Sequence, residues 1–239
     1  MYKQASLLIL LLSLRAGAQT TAPGLAMITC FSQAKATSAE AGANCASIAV
    51  IKLAMRKYGV HNLFTKNDLT DQTYHVTLRN GNEVVVTQQD LVEAKKYSLF
   101  EPRVPASGAV SDTVEAAQFA YAVMAKRYQI ENKLPTITEA VYHDRRHYIE
   151  DDVAPNAGLL GVPVTERLLG KRENITELHD VIVTSFYHAA YGDAGRYDEY
   201  GTPTTYGSFL PLHAGQNALN STLGKLVRWR TRISTLYTM

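Results

Sequence analysis

Acyl transfer by a thiol needs three groups in one place: a cysteine to attack, an imidazole to take its proton and a polar group to hold the imidazole in its working orientation. The thiol candidate is Cys45, in the stretch Ala43-Asn44-Cys45-Ala46-Ser47-Ile48-Ala49. Apolar residues continue at Ile48, Ile51, Met55 and Tyr58, the spacing of a helix with one buried face, and Gly59 is a C-terminal stop. Cys45 therefore falls in the first turn, where unpaired N–H groups and the positive end of the helix dipole favour an anion. That placement is one recognised way to lower a thiol pKa from about 8.5 into a reactive range. The competing reading is a small buried hydrophobe, since free cysteine is among the most buried residue types.

Seven histidines compete for the role of base. His143 and His147 share a helix face at i, i+4, but Asp144-Arg145-Arg146 between them lacks the Glu of a metalloprotease motif and carries two cation-repelling arginines. That pair reads as a surface feature. His61, His75 and His179 lie at predicted turns or on a hairpin with no evident partner. His188 stands late in Asp180 to Tyr191, a run that is β-branched at its start and reads as a central strand. A hairpin turning at Gly192 to Gly195 pairs positions near 188 with positions near 198 or 199, so that Asp198 or Glu199 reaches the ring. A one-residue slip exchanges the two carboxylates. The competing reading of His188 is a satisfied core histidine, and His213 is a reserve base.

The elements that must position these residues are legible in part. Thr73 to Leu78 and Glu83 to Thr87 flank Arg79-Asn80-Gly81-Asn82, which predicts a two-stranded hairpin. Gln88 to Tyr97 reads as a short helix, and Pro102 to Ser111 as a loop. Asp112 can cap a helix running through Tyr128, and Thr136-Ile137-Thr138-Glu139 has the capping-box form and opens a helix carrying Tyr142 and Tyr148. Asp151 to Gly161 reads as loop, Val164 to Leu169 as at most a brief helix, and Arg196 to Tyr200 as the return strand, ended by Gly201-Thr202-Pro203. Helices first and strands later predict an α+β fold with a cleft between the two parts.

A chain of 239 residues can bury one substantial core and is short for two large domains. Residues 1–18 have the form of a signal peptide: Lys3, the apolar run Ala5 to Leu14, then Ala16-Gly17-Ala18 as a small-x-small cleavage site. The expected mature chain, 19–239, is a single exported domain, secreted or periplasmic, with a helical lobe over about 40–170 and a β lobe over about 178–239. No segment approaches the roughly 18 to 20 apolar residues of a membrane span, so stable membrane insertion is not expected. Loss of Lys3 and Arg15 leaves 22 basic against 22 acidic residues, and a balanced chain gives no global field for nucleic acid. Arg228, Arg230 and Arg232 alternate with Val227, Trp229 and Thr231 as the solvated face of a terminal strand would. Two cysteines in an exported chain raise a Cys30–Cys45 disulfide, which would abolish the nucleophile; the size of the chain and the helix at Cys45 argue against it. Asn174-Ile175-Thr176 and Asn220-Ser221-Thr222 fit the glycosylation sequon.

Taken in order, Gly42 to Ala49, the Asn-Gly hairpin ending Val84-Val85-Val86-Thr87, Phe119-Ala120-Tyr121-Ala122-Val123-Met124-Ala125-Lys126 and His188-Ala189-Ala190-Tyr191 resemble the catalytic domain of calpain-type cysteine peptidases, within the papain-like fold, over about residues 40–201. The resemblance implies Cys45 as nucleophile, His188 as general base and a third residue on the next strand. Where the family has Asn followed by Pro-Trp-Gly, this chain has Asp198-Glu199-Tyr200-Gly201, so Asp198 is the positional match and Glu199 its neighbour. Where the family has a Gln-Gly pair before the cysteine to feed the oxyanion hole, this chain has Ala39-Glu40-Ala41. Gln33, upstream, is the candidate donor in its place, beside the Cys45 N–H. The calcium-binding acidic sites of calpain-type domains have no residue-by-residue match, and no cofactor or metal is assigned. The expected activity is cleavage of peptide or isopeptide bonds in a peptide or protein substrate. The rivals are a catalytically weak or inactive secreted binding protein of the same fold, or a related acyltransferase or deamidase.

Overall fold

The computed structural model describes residues 30–33, 44–98, 100–103, 108–144, 153–168, 178–185, 188–199, 201–205 and 235–239. Among the described residues the fold is mixed α+β, with five helices and antiparallel sheets of two, three and six strands. The predicted leader, the two sequons, Glu40, His147, Tyr148, His213 and the Arg228–Arg232 cluster lie outside them.

Helix α1 (Cys45–Tyr58) has the predicted bounds. Gly59 ends it at φ 90°, and its N–H donates to Met55 O at 2.8 Å. Eleven of its fourteen residues are buried, so this is a central helix with neighbours all round rather than a surface one. Around it pack helix α3 (Ala109–Glu131) and helix α5 (Val153–Leu160). Helices α2 (Gln88–Ser98) and α4 (Ile137–Asp144) lie against α3, and the Thr136 hydroxyl accepts from the Glu139 N–H at 3.2 Å as a cap should.

Several boundaries differ from the sequence reading. Helix α3 starts at Ala109, so Asp112 sits in its first turn instead of capping it. Helix α5 replaces the loop expected over Asp151 to Gly161; Pro155 falls in its first turn, where the missing N–H costs nothing. The Asn-Gly hairpin forms as β3 (Thr73–Thr77) and β4 (Glu83–Thr87), with Gly81 at φ 83°. It gains a third strand, β2 (Lys66–Thr70), through Asp71 and Gln72, both at positive φ. This sheet stands between α1 and α2 in sequence, so the first half of the chain is not purely helical.

The six-stranded sheet runs β10-β9-β8-β7-β11-β6. Strand β6 (Thr165–Leu168) stands where a brief helix was expected. The run Asp180 to Tyr191 is not one strand: β7 (Val181–Ser185) turns back into β8 (His188–Asp193), with Ser185 opposite His188. His188 thus opens a strand. Ala194 and Gly195, both at positive φ, turn β8 into β9 (Arg196–Glu199), and Gly201 at φ 83° turns β9 into β10 (Thr202–Thr205) rather than ending the sheet. Strand β11 (Thr235–Thr238) is inserted between β7 and β6. A small pair, β1 (Phe31–Gln33) with β5 (Phe100–Pro102), lies beside α1. Among the described residues no helix is long and apolar enough to cross a membrane.

Candidate functional site

Helix α1 lies against β8 and brings its N-terminal cysteine onto that strand. The Ala189 N–H donates to Cys45 Sγ at 3.4 Å. Ala189 follows His188, so the thiol meets the main chain one residue from the predicted base. The His188 side chain itself lies outside the described residues, as do those of Gln33 and Glu199.

Burial decides the state of the thiol. Cys45 is 3% exposed, and desolvation, followed by the opposing N–H of Ala189 and the adverse charge of Asp144, leaves its pKa pushed up to about 12. The N–H groups of Ala189, Ala46 and Cys45 do lower it, as a helix N-terminus should, but they are outweighed. Both cysteines are free, so the Cys30–Cys45 disulfide is absent.

Asp198 has partners of its own. Strands β8 and β9 pair Asp193 with Arg196 and Gly192 with Tyr197, and one further step in that register sets Asp198 across from Tyr191, three residues beyond His188. Its buried carboxylate forms an ion pair with Lys52 Nζ and accepts from the Gly201 N–H at 2.8 Å. Burial pushes Asp198 up and Lys52 down, and each partner's charge opposes that shift. Lys52 also donates to the Phe31 carbonyl and lies 4.6 Å from the Phe31 ring centroid. The residue placed to orient an imidazole is thus a clamp between helix and sheet.

Lys52 was legible in principle. It stands seven residues after Cys45, two helical turns along the stripe that meets β8. Arg56 continues the stripe, donating from Nε to Asp180 Oδ1 at 2.8 Å, and the Tyr191 hydroxyl donates to the same oxygen at 2.6 Å. His179, which had no evident partner, lies with Nδ1 2.8 Å from Asp193 Oδ1.

On the opposite flank of α1, Asp144 accepts from the Ser47 hydroxyl at 2.7 Å and from the Tyr121 hydroxyl at 2.6 Å. Asp144 stands between His143 and His147, where the sequence signal is the histidine spacing and not the aspartate. Among the described residues no group of three or more His, Cys, Asp or Glu side chains is placed to hold a metal. Comparison with family models, with curated proteins and with solved structures finds no match.

Proposed function

We propose that the chain is an exported cysteine hydrolase acting on peptide or isopeptide bonds, built on a papain-like arrangement of a thiol-bearing helix against an antiparallel sheet. The observation that carries this reading is the 3.4 Å contact between Cys45 Sγ and the Ala189 N–H, the residue after His188. In the proposed reaction the Cys45 proton passes to the His188 imidazole as the sulfur attacks the substrate carbonyl carbon. The main-chain N–H groups around the sulfur face the charge that develops. Collapse of the tetrahedral adduct breaks the C–N bond, His188 gives its proton to the departing amine, and a thioester remains. Water, deprotonated by His188, then attacks the thioester, releasing the carboxylic acid and restoring the thiol. Burial pushes the Cys45 thiol up, so in this reading its nucleophilicity depends on the imidazole.

A second reading has its own support. The burial of Cys45 and the commitment of Asp198 to Lys52 favour a protein that keeps the fold and binds a peptide without cutting it. Iodoacetamide labelling near neutral pH separates the two. The hydrolase reading predicts labelling at Cys45 that is fast relative to a buried thiol and slows at least about tenfold in His188→Ala. Labelling that is slow and indifferent to His188 supports the binding protein.

A further inference from the structure

On the flank of α1 away from the sheet, the molecule contains a second concave site. Cys45 and Ser47 are two residues apart, about 200° around the helix, so Ser47 points away from β8. There it helps line a cavity of about 370 Å³, within the range of roughly 300–1,000 Å³ typical of small-molecule sites. Met124, Leu159 and the rings of Tyr121 and Tyr128 give it apolar walls.

The charged groups around the cavity are engaged within the protein. Asp144 accepts from the Ser47 and Tyr121 hydroxyls, and its charge acts on Cys45. Arg127 is paired through Nε with Glu131 at 2.8 Å and donates from Nη1 to the main-chain carbonyls of Gly158 and Leu159. Asn132, which is exposed, donates from Nδ2 to the Tyr128 carbonyl at 3.0 Å.

Asn156 is the exception. It stands on α5, is 7% exposed and lines the cavity. Among the described residues its carboxamide has no hydrogen-bond partner, yet neither of its polar atoms is sealed off. A buried amide in that state is costly, and folded proteins rarely keep one. A carboxamide sets N–H donors beside a carbonyl acceptor. The group that answers both at once is a second carboxamide, giving an N–H to Asn156 Oδ1 and a carbonyl to Asn156 Nδ2. A carboxylate lacks the donor, and an ammonium lacks the acceptor.

We propose that this cavity binds a small neutral molecule with a primary carboxamide at one end, paired with Asn156, and an aromatic body at the other, held among Tyr121, Met124, Tyr128 and Leu159. Tyrosine rings and a methionine sulfur form the kind of wall on which a flat apolar body packs. The site is separate from the Cys45 chemistry.

Calorimetric titration of the full chain with 3-phenylpropanamide and three relatives of similar length tests the proposal. The ketone 4-phenylbutan-2-one keeps the shape and the carbonyl but loses the donors, the acid 3-phenylpropanoate brings acceptors and a negative charge, and 3-phenylpropylamine brings donors and a positive charge. The amide is expected to bind about tenfold or more tightly than each of them. Asn156→Leu breaks no hydrogen bond and should bring the amide down to the level of the ketone. Cys45→Ala should bind the amide as tightly as the wild type, which keeps the outcome distinct from that of the hydrolase reading. A blocked glutamine, Nα-acetyl-glutamine methylamide, offers the carboxamide without the aryl body and should bind about tenfold more weakly than 3-phenylpropanamide; equal binding overturns the small-molecule assignment in favour of a peptide side chain. Should Asn156→Leu fail to fold, the ligand series on the unsubstituted chain decides alone. Equal affinity for amide and ketone, tighter binding of the acid or the amine, no binding of the amide at millimolar concentration, an amide preference that survives Asn156→Leu, or loss of amide binding in Cys45→Ala overturns the proposal.

Discussion

At the scale of single residues, the chemistry of Cys45 is a contest between two effects acting on one sulfur. Main-chain N–H groups at the start of α1 and from Ala189 stabilise a thiolate, while burial and the Asp144 charge oppose it, and burial prevails. The balance has a consequence for stability. An unfolded cysteine loses its proton at about pH 8.5 to 9, whereas the folded thiol, its pKa pushed up by burial to about 12, keeps it longer. Between those values the native state binds more protons than the unfolded one, so this group's contribution is fully present below pH 9 and is lost as pH rises toward 12. The slope is at most about 1.4 kcal/mol per pH unit. Cys45→Ala should therefore flatten the alkaline limb of stability measured by urea denaturation from pH 8 to 10.5, and an unchanged limb would show that the thiol ionises as freely folded as unfolded.

At the scale of elements, α1 is joined to the sheet by Lys52–Asp198 and by the Arg56–Asp180–Tyr191 group. A buried ion pair adds little over an apolar pair of the same shape, but breaking it strands a charge. Lys52→Met should cost about 3 kcal/mol or more, and Lys52→Met combined with Asp198→Asn should recover most of that loss, both read from denaturant midpoints. A single substitution as mild as the double one would contradict the clamp. The elements themselves were unevenly legible. Helix α1 and the β3–β4 hairpin could be read because periodicity, Gly59 and Asn80-Gly81 all agree locally. Strand β2 was missed because Lys66-Asn67-Asp68-Leu69-Thr70 is largely exposed and has no apolar alternation, and its turn uses Asp71-Gln72 where a glycine would have signalled it. The β7–β8 reversal was hidden because the stretch from Ser185 to His188 contains no Gly, Pro, Asn or Asp. That single miss moved His188 from the end of a strand to its beginning. The tie between Lys52 and Asp198 spans 146 positions of sequence, and no local pattern could supply it.

For the whole molecule, the central position of α1 means that neither half is complete alone. Its stripe of Cys45, Lys52 and Arg56 meets the sheet, and its other faces meet α3 and α5. A chain ending at residue 177 would expose that stripe, with the buried Lys52 left without its carboxylate. It should show no cooperative thermal transition by circular dichroism, and a cooperative transition would mean that the helical part is an autonomous domain. The same arrangement puts the candidate thiol where the helix meets the sheet. Whether the protein is a hydrolase turns on the pairing of Cys45 with His188. The most direct measurement is intact mass during reaction with an activated acyl ester. The account predicts one acyl group on Cys45 that forms and then decays, is absent in Cys45→Ala and forms far more slowly in His188→Ala. No acyl adduct on the folded wild-type protein, or one that forms equally fast without the imidazole, would contradict it.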